Sequence, residues 1–283
     1  MASIIVTGSE GKLGRHVVAR LLGDGHQVHR LDAKPIAPAM DYTRIDLADA
    51  GQAMDAMFGV QDRYGSVDAV VHLAAIPAPG QMTDTATFQN NMLATFNVFQ
   101  GARRAGITNV VYASSETVLG LPFETRPPYI PVDEEYDARP ESNYSLVKHL
   151  EEQMAIQLCR WDPALKIIAL RFSNVMDVDD YAAFPAFDAD PTLRRWNLWG
   201  YIDGRDGAQA VARALDYEPR GFDRFIVANA DTVMSRSSAD LAAAEFPDVP
   251  VVKELGEHET LLGIDKARRL LGYEPQHSWR EHV

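Results

Sequence analysis

Ser3-Ile4-Ile5-Val6-Thr7-Gly8-Ser9-Glu10-Gly11-Lys12-Leu13-Gly14 opens the chain, and an acid, Asp32, closes the next apolar run, Val28-His29-Arg30-Leu31. The order predicts a strand, a tight glycine turn and a helix whose free N–H groups and positive dipole end face a phosphate. Gly8 permits the turn, Gly11 lets the backbone approach a pyrophosphate, and Gly14 lets the helix pack against the strand. Asp32 stands 18 residues beyond Gly14, where an acid accepts hydrogen bonds from an adenosine ribose. Glycines also make plain turns and helix stops. The succession of strand, turn, helix, strand and acid is what points to a dinucleotide site.

Beyond this unit, β-type and helical runs alternate, the pattern of a parallel sheet covered on both faces. Strands are expected at Ile4–Thr7, Gln27–Asp32, Ala69–Leu73, Asn109–Ser114, Lys166–Arg171 and Phe222–Val227. Helices are expected at Lys12–Leu22, at Thr85–Arg104 with Phe88, Met92, Phe96 and Phe99 at helical spacing, and at Ser142–Arg160 with Val147, Leu150, Met154 and Leu158 on one face. Another is expected at Gly207–Tyr217, with Asp206 as its N-cap. The fold class is therefore α/β, a doubly wound parallel sheet of the Rossmann type. Residues 1–172 form the nucleotide-binding part, and 173–283 a small substrate cap with segments returning to the core. Gly120–Asn143 and Val175–Gly200 break the alternation, and loops this long inside a compact domain read as lids or binding loops.

A length of 283 residues suits one large α/β domain or two modest ones. The net charge of −13 and a pI near 5.0 argue against nucleic acid or an anionic membrane as partner, since both reward clustered Lys and Arg. One cysteine, Cys159, allows no internal disulfide and reads as a small apolar helix residue. The chain runs directly into a strand with no secretory pattern, and no apolar run approaches a membrane span, so the cytoplasm is the expected compartment. The eight histidines show no ligand spacing, and no metal site is expected.

Tyr144-Ser145-Leu146-Val147-Lys148 carries the second signal. Tyr144 and Lys148, four apart on a helix, share a face. A free tyrosine titrates too high to be an effective base at neutral pH, and a nearby ammonium lowers its pKa, so the pair suits proton transfer. Such pairs also occur on ordinary exposed helix faces. Tyr112-Ala113-Ser114-Ser115-Glu116-Thr117 ends a predicted strand, where open α/β sheets place ligands. A serine there is otherwise a turn or cap residue. The conjunction of Ser, Tyr and Lys behind a nucleotide unit is what carries the reading.

With these residues the chain resembles an extended short-chain dehydrogenase/reductase of the NAD-dependent epimerase/dehydratase family. The likeness runs through Thr7-Gly8-x-x-Gly11-x-x-Gly14, Asp32, Asp46-Leu47, Val71-His72-Leu73-Ala74-Ala75, Asn91, Ser114-Ser115, Tyr144-x-x-x-Lys148, Leu170-Arg171-x-x-Asn174-Val175 and Leu271-Gly272-Tyr273-x-Pro275. It implies NAD as cofactor, held by Gly8, Gly11, Lys12, Leu13, Gly14, Asp32, Asp46, Leu47, Leu73, Ala74, Ala75, Asn91, Ser114, Tyr144 and Lys148. Asp46 and Leu47 would border the adenine, and Leu73, Ala74 and Ala75 the ribose and phosphates. Asn91 would support the site from a helix interior, or else simply face solvent. The resemblance also implies catalysis by Ser115, which hydrogen-bonds the reacting oxygen, Tyr144, which exchanges its proton, and Lys148, which binds the nicotinamide ribose and depresses the tyrosine pKa. Asp32 favours NAD over NADP, because a carboxylate repels a 2′-phosphate; Arg30 and Lys34 flank it. A homodimer through the helices around 85–105 and 142–160 is a further implication.

The chain also departs from that family. It ends at 283, which points to a small cap and to a sugar acid or polyol more than a bulky nucleotide sugar. Asn174-Val175-Met176-Asp177-Val178 replaces the usual Asn-Val-Tyr-Gly-Pro, and Ser115-Glu116-Thr117 lacks the third-place acid of dehydratases. The compact length, the Ser-Ser pair and Trp196-Asn197-Leu198-Trp199-Gly200-Tyr201-Ile202-Asp203 resemble the uronate dehydrogenase branch. That branch binds a substrate carboxylate by an arginine; Arg171 is the best-placed candidate, with Arg194 and Arg195 as alternatives. Ser115, Thr117, Asn174 and Arg171 are the expected substrate contacts. Trp196 and Trp199 would stack on a sugar face or fill the cap's core. The expected activity moves a hydride between a secondary alcohol of a sugar, sugar acid or similar polyol and NAD. A sugar epimerase with tightly held NAD and a non-catalytic dinucleotide-binding regulator are the alternatives.

Overall fold

Alternate residues of the central strands face opposite sides, and this period of two sorts the apolar side chains into two cores. Ile4, Val6, Val71, Val111, Ile168 and Leu170 belong to one, and Ile5, Val70, Val110, Ile167 and Ala169 to the other. Continuous apolar strands of this kind need cover on both faces, as in a parallel sheet. The computed structural model of the chain describes residues 1–37, 39–60 and 64–282.

The elements are β1 (Ser3–Thr7), α1 (Lys12–Gly23), β2 (Gln27–Asp32), β3 (Tyr42–Arg44), α2 (Ala50–Phe58), β4 (Ala69–His72), α3 (Asp84–Arg104), β5 (Asn109–Ser115), α4 (Asn143–Trp161), β6 (Lys166–Phe172), β7 (Val175–Met176), α5 (Pro185–Ala189), α6 (Thr192–Arg195), β8 (Ile202–Asp203), α7 (Gly204–Asp216), β9 (Gly221–Val227), α8 (Ser238–Glu245) and α9 (Asp265–Leu271). Seven strands form one sheet in the order β3-β2-β1-β4-β5-β6-β9, all parallel. The apolar faces of α1 and α7 pack on one side, and those of α2, α3 and α4 on the other. This is the expected doubly wound sheet, and β9 carries the later part of the chain back into it.

Three expectations change. The N-cap of α7 is Asp203, whose carboxylate accepts from the Arg205 N–H at 2.8 Å. Asp206 instead accepts from the backbone N–H groups of Gln276 and His277, fixing the C-terminal segment. The Phe88-Met92-Phe96-Phe99 stripe of α3 does not face the sheet as a unit. Phe99 is buried, but Phe96 is 44% exposed, and the inward stripe is Asn91, Ala94, Thr95, Val98 and Ala102. The two stripes are adjacent on a helix, so spacing alone does not choose between them. Finally, Val175–Gly200 is largely short elements: β7, a 3₁₀ turn at Val178–Ala183, α5 and α6. No described helix is long and apolar enough to cross a membrane.

Candidate active site

The parallel register brings the carboxyl ends of β1, β4, β5 and β6 side by side, with Thr7 opposite His72 and Ser115 opposite Phe172. Ligands of open α/β sheets bind at this edge. The glycine turn after β1 occupies its middle. Gly8 has φ +67°, and a Cβ there would lie 2.7 Å from the Ala74 nitrogen. A Cβ on Gly14 would lie 2.0 Å from the Gly8 carbonyl oxygen, so Gly14 packs against the turn itself. Gly11 caps α1 without any side-chain hydrogen bond, leaving first-turn N–H groups directed at the crevice. The Lys12 ammonium reaches Asp180 of the 3₁₀ turn at Val178–Ala183 at 2.6 Å. The Leu13 side chain is buried in the core, which leaves its backbone for a ligand.

Asp32 ends β2 and accepts from the backbone N–H groups of Glu10 and Lys34, both at 2.9 Å. Its flanking cations are committed elsewhere. The Arg30 guanidinium grips Asp41 and Glu10, and the Lys34 ammonium donates to the Glu10 carbonyl. Asp46 is exposed and accepts from the Ala48 N–H, while Leu47 is buried. Leu73, Ala74 and Ala75 are half-buried beside the turn. Asn91 is fully buried and holds both backbone polar groups of Ile76, at 2.8 and 3.0 Å. It is no solvent-facing residue; it shapes the loop after β4.

Tyr144, Lys148, Glu151 and Glu152 line the buried face of α4. The Lys148 ammonium donates to the Ala113 carbonyl at 2.8 Å and to Glu151 at 3.0 Å. Burial works to lower the Lys148 pKa, yet Glu151, Tyr144 and Glu152 lift it above its ordinary value. Glu151 continues the chain of hydrogen bonds. It accepts from Thr95 at 2.8 Å, Thr95 meets His72 at 3.1 Å, and His72 meets Thr7 at 2.7 Å. Burial, aided by the Lys148 charge, pushes His72 down to about 3, so the ring is neutral. Burial also raises the Tyr144 pKa, outweighing the Lys148 charge and the Ser115 hydrogen bond. The Lys148 charge acts in the expected downward direction, and burial of the phenol is the larger effect. The Ser115 hydroxyl oxygen accepts from the Thr117 N–H and hydroxyl, at 3.2 and 3.0 Å.

One site expectation falls. Arg171 is fully buried and clasps Glu152 through two hydrogen bonds, at 2.9 and 2.7 Å. A guanidinium so enclosed has no face for a substrate carboxylate. The Ser114 hydroxyl donates to the same Glu152 at 2.7 Å, and its lone pairs are left to accept. Asn174 accepts from Arg194 at 3.0 Å. Trp199 is buried in the core cluster on one face of the sheet, and Trp196 lies half-buried against the Arg194 guanidinium. Burial pushes the Cys159 thiol up to about 11, as suits a structural cysteine. Among the described residues, no group of three His, Cys, Asp or Glu is placed to hold a metal ion.

Thr7, His72, Thr95, Glu151 and Glu116 were given no role from sequence. A signal did exist for Glu151, which lies three residues beyond Lys148 on the same helical face. Thr95 and His72 lie on separate elements and meet only in the fold.

A family model described as the NAD dependent epimerase/dehydratase family matches residues 4–185. UDP-glucose 4-epimerase 1 of Oryza sativa subsp. japonica is 32% identical over 192 residues, 62% of this chain and 51% of that protein. The chain spans about half the length of the curated relatives it matches. A short-chain dehydrogenase/reductase superfamily protein from Agrobacterium tumefaciens, solved with bound NAD, has 24% identity and a TM-score of 0.73, covering 99% of this chain and 94% of that one. A mutated uronate dehydrogenase has 24% identity and a TM-score of 0.69, covering 100% of this chain and 85% of the other. These two structures bear on the fold. The family match takes in the glycine turn, Asp32, Ser115, Tyr144 and Lys148, and on its extent the chain belongs to the NAD dependent epimerase/dehydratase family of enzymes.

Proposed function

We propose that the chain is an oxidoreductase acting between NAD and a secondary alcohol of a small sugar, sugar acid or similar polyol. The observation that carries this is the meeting of Ser115, Tyr144 and Lys148 at the sheet edge that also holds the glycine turn. The cradle fits a dinucleotide, because the positions nearest the turn have no room for a Cβ. The N–H groups of Lys12 and Leu13 would hold the pyrophosphate, Asp32 the adenosine ribose, and Lys148 the nicotinamide ribose. Asp46, Leu47, Leu73, Ala74 and Ala75 would border the adenine half, with Asn91 keeping the loop after β4 in place. When bound, NAD supplies acceptance and return of a hydride. Ser115 positions the reacting oxygen, and Tyr144 takes or returns its proton. Thr117 and Asn174 are the further substrate contacts we assign.

Purified protein is mixed with NAD and a panel of sugars, sugar acids and polyols, and NADH absorbance is followed. A rise with one member, lost about 10²–10⁴-fold in Tyr144→Phe with NAD binding intact, supports the reading. Near-normal turnover in that variant removes Tyr144 from the mechanism.

The UDP-glucose 4-epimerase relatives favour a second reading, a sugar epimerase that retains NAD. It interconverts sugars without net NADH. Neither turnover nor interconversion, with NAD still bound, leaves a dinucleotide-binding regulator. We further assign a homodimer, supported by Leu93 and Phe96 of α3 and Leu146 of α4, which are 36–47% exposed. Sedimentation tests it. The cytoplasm is the compartment we assign, in keeping with one buried thiol.

A further inference from the structure

Four buried polar side chains on four elements connect the start of the glycine turn to Lys148. Thr7 ends β1, His72 ends β4, Thr95 lies in α3 and Glu151 in α4, and each is at most 2% exposed. The series of hydrogen bonds between them runs one way. The Thr7 hydroxyl oxygen accepts from the Ala74 N–H at 3.3 Å and from the Leu73 N–H, shared with the Thr7 carbonyl, at 3.2 Å. Both its lone pairs are then used, so its own proton goes to His72 Nδ1 at 2.7 Å. The His72 ring is neutral. An accepting Nδ1 therefore puts the one ring proton on Nε2, which donates to the Thr95 hydroxyl at 3.1 Å. Thr95 in turn donates to Glu151 Oε1 at 2.8 Å. The reverse run would need a protonated Glu151 facing the Lys148 ammonium at 3.0 Å.

We propose that Thr95 and His72 are positioning residues for Lys148: they bring this one-way series to Glu151 Oε1 and so fix the carboxylate whose other oxygen holds the ammonium. The role rests on the oxidoreductase reading above, in which Lys148 binds the nicotinamide ribose. An ammonium has three N–H donors. Glu151 and the Ala113 carbonyl take two of those on Lys148, which leaves one for the site. Where that donor points depends on how Glu151 stands, and Thr95 holds Glu151 by its first oxygen. Burial raises the Glu151 pKa, while the charge and hydrogen bond of Lys148 and the Thr95 hydrogen bond oppose the rise. Thr95 thus also favours the charged form that binds the lysine. At the far end, the Ala74 nitrogen lies against Gly8, so the lysine and the glycine turn share one connection. Stability alone does not call for it, because buried ion pairs are often replaced by apolar side chains of similar volume at no loss.

The first measurement is nuclear magnetic resonance of the wild-type protein with isotope-labelled histidine, the His72 signal being assigned by its absence in His72→Gln. The expected ring is neutral at neutral pH with its proton on Nε2. A proton on Nδ1, or a charged ring, overturns the proposal, and this readout stands even if Thr95→Val folds poorly. The second is calorimetric titration with NAD. Thr95→Val keeps the shape, removes the hydroxyl and should weaken NAD by roughly tenfold, about the net worth of one hydrogen bond. Thr95→Ser should restore most of that loss. In a Glu151→Gln background Thr95→Val should make no further difference, since Thr95 acts through Glu151. The same loss in that background, or lowered stability with NAD affinity unchanged, overturns the positioning role. Neither measurement needs a substrate. The expected pattern with no NADH formed from any sugar, sugar acid or polyol leaves the positioning role standing and sinks the oxidoreductase reading instead.

Discussion

Glu151 Oε2 lies 3.0 Å from Lys148 Nζ, and both side chains are almost wholly enclosed. The lysine that should assist Tyr144 is thus partly neutralised from behind, and the Glu151 charge itself raises the Tyr144 pKa. Glu151→Gln removes that charge and keeps the shape. The expected outcome is a pH–rate profile for alcohol oxidation displaced to lower pH. An alkaline displacement, or none, would show that Glu151 has no electrostatic hold on Tyr144.

Gly14→Ala places a Cβ 2.0 Å from the Gly8 carbonyl oxygen, a contact that only movement of the turn relieves. Overpacking of this kind destabilises by roughly 1–3 kcal/mol. NAD affinity should fall as well, because the displaced turn is the proposed pyrophosphate cradle. Thermal unfolding and NAD titration check the two effects separately.

Arg171→Met leaves Glu152 buried with the Ser114 hydroxyl as its remaining donor. Breaking a buried pair from one side destabilises by roughly 3–5 kcal/mol. The preference between a neutral sugar and its acid should not change, since Arg171 faces the core. Denaturant unfolding reads the first effect and a substrate panel the second.

Glu116 makes stability depend on pH. Burial pushes its carboxyl from 4.5 up to about 7, so the folded chain holds the proton more tightly than the unfolded chain. The stabilisation is therefore full below pH 4.5, shrinks as pH rises, and is lost once pH passes about 7. Glu116→Gln does not titrate. Relative to that variant, the wild type should lose on the order of 3 kcal/mol across this window. Parallel stability curves would rule the titration out.

Much of this was legible beforehand. The strands β1, β2, β4, β5, β6 and β9 stand within a residue of their expected bounds, because apolar runs between glycine and helix signals carry their own boundaries. β3 and α2 were not anticipated. β3 has only three residues, Tyr42–Arg44, too few to show a period. The start of α2 was readable, since Asp49 caps it by accepting from Gln52.

Sequence alone determined the glycine turn, Asp32, and the Ser115, Tyr144 and Lys148 set, because each depends on local spacing along one strand end or one helix face. It put Arg171 ahead of Arg194, and that ranking depends on which residues lie opposite, which the sequence does not show. Tertiary packing put Arg171 on Glu152 and gathered Arg194, Asn197, Ser173 and Glu116 beyond the end of β5. It also turned a lone Tyr–Lys pair into the end of a buried chain through Glu151, Thr95 and His72 to Thr7. The physical reason is desolvation. A charge or hydroxyl removed from water must find its partner across the fold, and those partners are far apart in the chain.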